Sequence, residues 1–113
     1  MSERILVVDD EAGVRDAFTL LLEEAGHQPI AAPGAEAALD LLEREDVALV
    51  LCDVAMPGMD GIALVEHIHR THPELPVVMV SAHGEIETAV RAVRAGAYDF
   101  LLKPVDEKRL FVT

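Results

Sequence analysis

Cys52 is the only cysteine in this chain, so no internal disulfide can form and a reducing compartment is the expected setting. Tryptophan is absent, and three Phe and one Tyr are all the aromatics present. The core must therefore be built from Val, Leu, Ile and Ala. No apolar run approaches the ~20 residues that a membrane-crossing helix needs. Met1 to Arg4 lead directly into a short apolar run, without the small-residue cleavage site of a secretory signal. The expected location is the cytoplasm, with no membrane partner. Basic residues are also scarce: nine Lys and Arg stand against 21 Asp and Glu, a formal net charge of −12. A nucleic-acid-binding surface needs clustered cations to neutralise phosphates, so direct nucleic-acid binding by this domain is not expected. A carboxylate-rich surface suits cations or a basic protein partner, although solubility alone accounts for an acidic total.

What is present is a regular alternation. The 113 residues suit one domain spanning the whole chain. Five short apolar runs, Ile5 to Val8, Gln28 to Ala32, Val47 to Cys52, Val77 to Val80 and Tyr98 to Leu102, are too short for buried helices and read as strands. Pro29 marks the second as a sheet edge. Helical stripes lie between them: Val14, Phe18, Leu21, Leu22 and Ala25; then Ala35, Ala38, Leu39 and Leu42; then Leu64, Val65 and Ile68; then Ile86, Ala89, Val90 and Val93. Gly26 and Gly96 follow the first and fourth as stops. Strict β/α alternation with nearly continuous apolar strands predicts a parallel sheet covered by helices on both faces. Asp106 to Thr113 reads as a fifth helix that starts and is cut short, with further chain expected beyond it.

In an open α/β sheet, functional groups gather at the carboxyl ends of the strands. Asp9 and Asp10 end the first strand, Asp53 the third, Ser81 the fourth and Lys103 the fifth. Two unit charges ~4 Å apart repel by about 4 kcal/mol at an effective dielectric of ~20, so three carboxylates at one edge call for a cation. All-oxygen ligands select a hard ion such as Mg²⁺. Lys103 offers a point charge to a phosphate oxygen, and Ser81 a hydroxyl donor. A carboxylate beside a divalent cation, a lysine and a hydroxyl is arranged for in-line phosphoryl transfer. Asp53, alone on its strand before the Met56-Pro57-Gly58-Met59-Asp60-Gly61 turn, is the nucleophile candidate. Each element has a plainer reading: Asp10 could cap the helix beginning near Ala12, Asp53 could open a turn, and Lys103-Pro104 is an ordinary loop dipeptide. Those readings do not explain why all five polar residues share one edge.

The segments Ile5-Leu6-Val7-Val8-Asp9-Asp10-Glu11, Leu51-Cys52-Asp53, Met56 to Gly61, Val80-Ser81-Ala82 and Gly96 to Pro104 resemble the receiver domains of two-component response regulators, over essentially the whole chain. The stretch Gly84 to Val90 with Gly96 to Phe100 looks most like receivers of σ54-dependent, NtrC-type transcriptional activators. The resemblance implies a doubly wound, flavodoxin-like (βα)₅ fold with strand order 2-1-3-4-5 and a truncated last helix. It also implies that Asp53 accepts a phosphoryl group from a sensor histidine kinase. Asp10 and Asp53 would bind Mg²⁺ directly, Asp9 mainly through water, and the Ala55 backbone carbonyl would complete the protein ligands. Lys103 and Ser81 would contact the phosphate. Ser81 and Phe100 would be the switch pair, the Lys103–Pro104 bond would be cis, and Ala55 and His83 would modulate the dephosphorylation rate. Implied partners are the kinase, a C-terminal effector domain, and a second copy through the surface of the fourth helix, fifth strand and fifth helix. Such a domain is a switch, not a turnover enzyme.

His67, His69 and His72 are spaced two and three apart and do not converge on one helix face, so a solvated flank is expected there. Cys52 suits the core. One alternative is an aspartyl-phosphate phosphatase. The Asp-x-Asp type places a general acid two residues after the nucleophile, where this chain has Ala55. A pseudo-receiver, which binds partners without phosphorylation, is the other. The intact set of Asp9, Asp10, Asp53, Ser81 and Lys103 weighs against it.

Overall fold

A computed structural model describes residues 3–53, 61–81 and 86–102. The strands are β1 (Arg4–Val8), β2 (Gln28–Ala32), β3 (Leu49–Asp53), β4 (Val77–Ser81) and β5 (Asp99–Leu102). Alternating with them are α1 (Ala12–Glu24), α2 (Ala35–Arg44), α3 (Gly61–Thr71) and α4 (Ile86–Ala95). All strand pairs are parallel, in the order β2-β1-β3-β4-β5. Pro29 therefore lies on an edge strand, where its missing N–H costs no ladder hydrogen bond. The expected fifth helix, Asp106 to Thr113, falls outside the described residues.

Successive side chains in a strand point to opposite faces, and both faces are buried here. Leu6, Val8, Val50, Cys52, Val77 and Met79 join Ala38, Leu64, Val65, Ile68 and Ala92 in one cluster, under α2, α3 and α4. Ile5, Val7, Leu51, Val78, Val80 and Leu101 join Phe18 and Leu22 of α1 in the other. Two-sided burial is why the strands read as continuous apolar runs rather than as alternating ones.

Glycine terminates two helices as expected. Gly26 (φ 89°) and Gly96 (φ 115°) adopt the left-handed conformation. The His27 N–H then reaches the Leu22 carbonyl, and the Ala97 N–H the Ala92 carbonyl, each at 3.0 Å, which satisfies carbonyls that the helix end would leave orphaned.

Several strand boundaries and one helix face differ from expectation. β3 begins at Leu49 rather than Val47, because its ladder with β1 starts at the Ile5–Leu49 pair; it also runs on through Asp53. β5 begins at Asp99, with Tyr98 66% exposed beside it. On α4 the expected inward stripe is wrong: Val90 and Val93 are 42% and 58% exposed, while Ala92 is fully buried. The small Ala92 side chain lets the helix approach its neighbours closely, and the β-branched pair is left facing outward.

Candidate functional site

The parallel register brings the polar strand ends together. Val8 pairs with Cys52, so the next step along both strands sets Asp9 beside Asp53. Asp53 pairs with Val80 on the other side, which places Ser81 one residue further along the same edge. Asp9, Asp53 and Ser81 are 2%, 8% and 6% exposed, and Asp10 is exposed. Carboxylate oxygens of Asp9, Asp10 and Asp53 all lie within 4.8 Å of one another.

Local hydrogen bonds hold the acidic pair in place. The Asp9 N–H donates to the Ala32 carbonyl at 3.2 Å, extending the β1–β2 ladder by one residue. One Asp9 carboxylate oxygen accepts the Glu11 N–H at 2.9 Å, a local side-chain turn that ends the strand. Glu11, not Asp10, occupies the position before α1, and no side chain caps that helix. The plain capping explanation for Asp10 therefore fails.

Arg15 was not singled out in the sequence. Its guanidinium donates to the Asp9 carbonyl at 2.7 Å. A cation in the first turns of a helix opposes the macrodipole, and its placement as the fourth residue of α1 was the available signal. Cys52 is buried, as expected of a core residue, and its thiol lies 3.3 Å from the Asp53 carbonyl oxygen.

At 4.8 Å two carboxylates repel by about 3.5 kcal/mol at an effective dielectric of ~20. Two of the three are nearly shut off from water, so solvent cannot relieve the pair. The donor set is all oxygen, anionic and partly open through Asp10, which fits a small hard divalent cation that retains some of its waters. Among the described residues this is the group placed to hold a metal, and His67, His69 and His72 do not join it.

Phe100 lies half-buried on β5 and packs against the cluster under α2, α3 and α4. It pairs with Met79, two residues before Ser81 on the adjacent strand, so Phe100 and Ser81 share a sheet face about 8 Å apart at the backbone. Ala55, His83, Lys103 and Pro104 lie outside the described residues.

A family model described as the response regulator receiver domain matches residues 5–113. The response regulator protein FleR of Pseudomonas aeruginosa is 43% identical over 110 residues, which cover 97% of this chain and 23% of that protein. The nitrogen assimilation regulatory protein NtrX of Azorhizobium caulinodans is 42% identical over 114 residues, covering 99% of this chain and 25% of that protein. The crystal structure of the receiver domain of NtrX from Brucella abortus superposes with a TM-score of 0.90 at 47% identity, covering 96% of this chain and 92% of that one. The chain thus spans about a quarter of the length of these curated relatives. Its relatives include NtrC-type activators, as the resemblance of the sequence implied.

Proposed function

This chain belongs to the response regulator receiver domain family, and from that premise we propose that Asp53 is the phosphoacceptor of a signalling switch. The observation that carries the reading is the convergence of the Asp9, Asp10 and Asp53 carboxylates within 4.8 Å at the carboxyl edge of a parallel sheet, with Ser81 ending the next strand. An Asp53 carboxylate oxygen attacks the phosphorus of a phosphohistidine on a sensor kinase. The P–N bond breaks, the imidazole leaves, and an acyl phosphate remains on Asp53.

Asp10 and Asp53 would hold Mg²⁺ directly, with Asp9 acting through water and the Ala55 carbonyl completing the protein ligands. The ion would supply charge neutralisation for a transferring group that carries negative charge on its oxygens. Ser81 donates its hydroxyl to one phosphate oxygen and Lys103 its ammonium to another. Ala55 has no polar group to orient a hydrolytic water, which favours a long-lived phosphoryl group, with His83 as the second rate-setting position.

Output passes through Phe100. When the Ser81 hydroxyl moves toward the phosphate, the ring turns inward, and the surface of α4, β5 and the expected fifth helix changes. Exposed Val90, Val93 and Tyr98 support that surface as the place where a second copy or an effector domain docks. We place the domain in the cytoplasm, joined to a transcriptional effector, in keeping with the greater length of its relatives.

Intact-mass spectrometry after incubation with acetyl phosphate tests the reading. One added phosphate, seen only with Mg²⁺ and absent from Asp53→Ala, is the expected result. No addition to the wild-type chain would make it a pseudo-receiver.

A further inference from the structure

The described residues hold six arginines, and three are engaged within the fold. Arg4 pairs with Glu45, Arg44 pairs with Asp40 at 2.6 Å, and Arg15 donates to the Asp9 carbonyl. Among the described residues the other three, Arg70, Arg91 and Arg94, form no ion pair or hydrogen bond through their side chains. Carboxylates are not in short supply, with 21 Asp and Glu in the chain. Glu66 stands four residues before Arg70 and Glu87 four before Arg91, the order that favours pairing on a helix, yet neither pair is closed.

These three arginines line one groove of about 460 Å³ between α3 and α4, where Glu66 is the sole carboxylate among the described residues. Buried Ile62 and half-buried Ala95 give the groove an apolar strip. Its walls pack closely: His69 lies so near Gly96 that a Cβ there would be 2.6 Å from the imidazole Cγ. Arg70 and Arg94 lie in the last turns of their helices, where the dipole favours cations. Arg91 does not, so the dipole alone does not account for the cluster.

A concentration of positive charge on a chain of net charge −12 suits an anion of limited extent. A long polyanion would run off the groove onto repelling surface within a screening length or two. Guanidinium forks match carboxylates bidentately, and a groove of this size accommodates a few side chains. We propose that the α3–α4 groove docks a short acidic segment of a partner protein, with Arg70, Arg91 and Arg94 taking its carboxylates and the Ile62–Ala95 strip taking an apolar side chain between them. The proposal does not depend on phosphoryl chemistry at Asp53.

The test is an amide-shift titration of the nitrogen-15-labelled chain with a blocked Glu-Leu-Glu-Glu-Leu-Glu peptide. Saturable shifts confined to residues 66–70 and 91–96 are expected. Affinity should fall about tenfold or more in R91E/R94E, and fall steeply between about 0.15 M and ~1 M salt, as the screening length drops from about 8 to about 3 Å. The peptide with Gln in place of Glu should not bind. If R91E/R94E fails to fold, R70Q and R94Q provide the comparison, each weakening binding. Shifts scattered over the chain, or unchanged in the folded variants, would overturn the proposal. So would inorganic phosphate or a short single-stranded DNA shifting the same amides at lower concentration than the peptide.

Discussion

Removing one charge from the acidic edge should stabilise the metal-free chain, and Asp53→Asn does so with almost no change of shape. The Asp53 carboxylate has oxygens of both Asp9 and Asp10 within 4.8 Å. At that separation a pair of unit charges repels by about 3.5 kcal/mol at an effective dielectric of ~20, and by about 0.9 kcal/mol at that of water. The Asp9–Asp53 pair is nearly buried and belongs near the upper figure. Asp10 is exposed, so its share belongs near the lower one. Against the relief stands the weaker acceptor strength of an amide wherever a carboxylate accepts a charge-assisted hydrogen bond, at most about 1.5–3 kcal/mol. A net gain of about 1–3 kcal/mol follows. In a domain of 113 residues, ~1 kcal/mol moves Tm by about 4 °C, so the variant should melt ~4–12 °C higher.

The assay is thermal unfolding followed by circular dichroism, first in EDTA and then in excess Mg²⁺. A ligand at a hundred times its Kd stabilises the native state by about 2.7 kcal/mol. The wild type should gain that much, while the variant, short of one anionic ligand, gains less. The gap seen in EDTA should therefore close or reverse. An Asp53→Asn chain that melts at or below the wild type in EDTA would refute the electrostatic reasoning. Equal stabilisation of both chains by Mg²⁺ would refute the assignment of Asp53 to the metal site.

Gly96→Ala should cost at least ~2 kcal/mol in urea unfolding, from a left-handed backbone that disfavours a Cβ by about 1–2 kcal/mol and from the overlap with His69. Adding His69→Ala should recover the overlap and leave the backbone cost. Arg15→Gln should lower metal-free stability by about 1–2 kcal/mol in the same measurement, through loss of the 2.7 Å bond to the Asp9 carbonyl; an unchanged midpoint would show that bond to be idle. Ile68→Ala, at a fully buried position of α3, should cost about 2–5 kcal/mol, with a cost under ~1 kcal/mol indicating that the cavity collapses.

Much of this architecture was legible because each strand carries its own evidence. Three runs are apolar without alternation, which marks two-sided burial, and Pro29 suits an edge. The acidic edge was legible because Asp9, Asp10 and Asp53 each stand where an apolar run ends. The orientation of α4 was not. Its valines form the more hydrophobic stripe, and hydrophobicity was the criterion, but close packing selected the small Ala92 for the interior. Arg15 was missed for a different reason: its place in the first turns of α1 marks it as unusual, but its acceptor is a backbone carbonyl, which the sequence does not name. The packing of His69 on Gly96 joins two helices across 27 positions, a tertiary contact that helix spacing alone does not reveal. Ala55, His83, Lys103 and Pro104 fall outside the described residues, and their roles rest on the resemblance.

The two faces of the sheet are not equivalent as routes out of the site. Phe100 shares its face with Ser81 and packs into the cluster that contains Ala92 and Ala97. The α1 side is a separate cluster, reached through Leu101 and Val80. Interiors packed to crystal-like density do not absorb a reoriented ring; they pass the displacement to whatever element can move. On Phe100's face α4 packs into that cluster through Ala92, an alanine with no accessible surface, and on the proposed switch it is the element that would shift. A rigid shift of α4 carries both of its outward features together: the Val90–Val93 stripe on one side and the Arg91–Arg94 flank on the other. On the proposed switch, a charge change at Asp53 would reach an apolar and a basic surface through one helix.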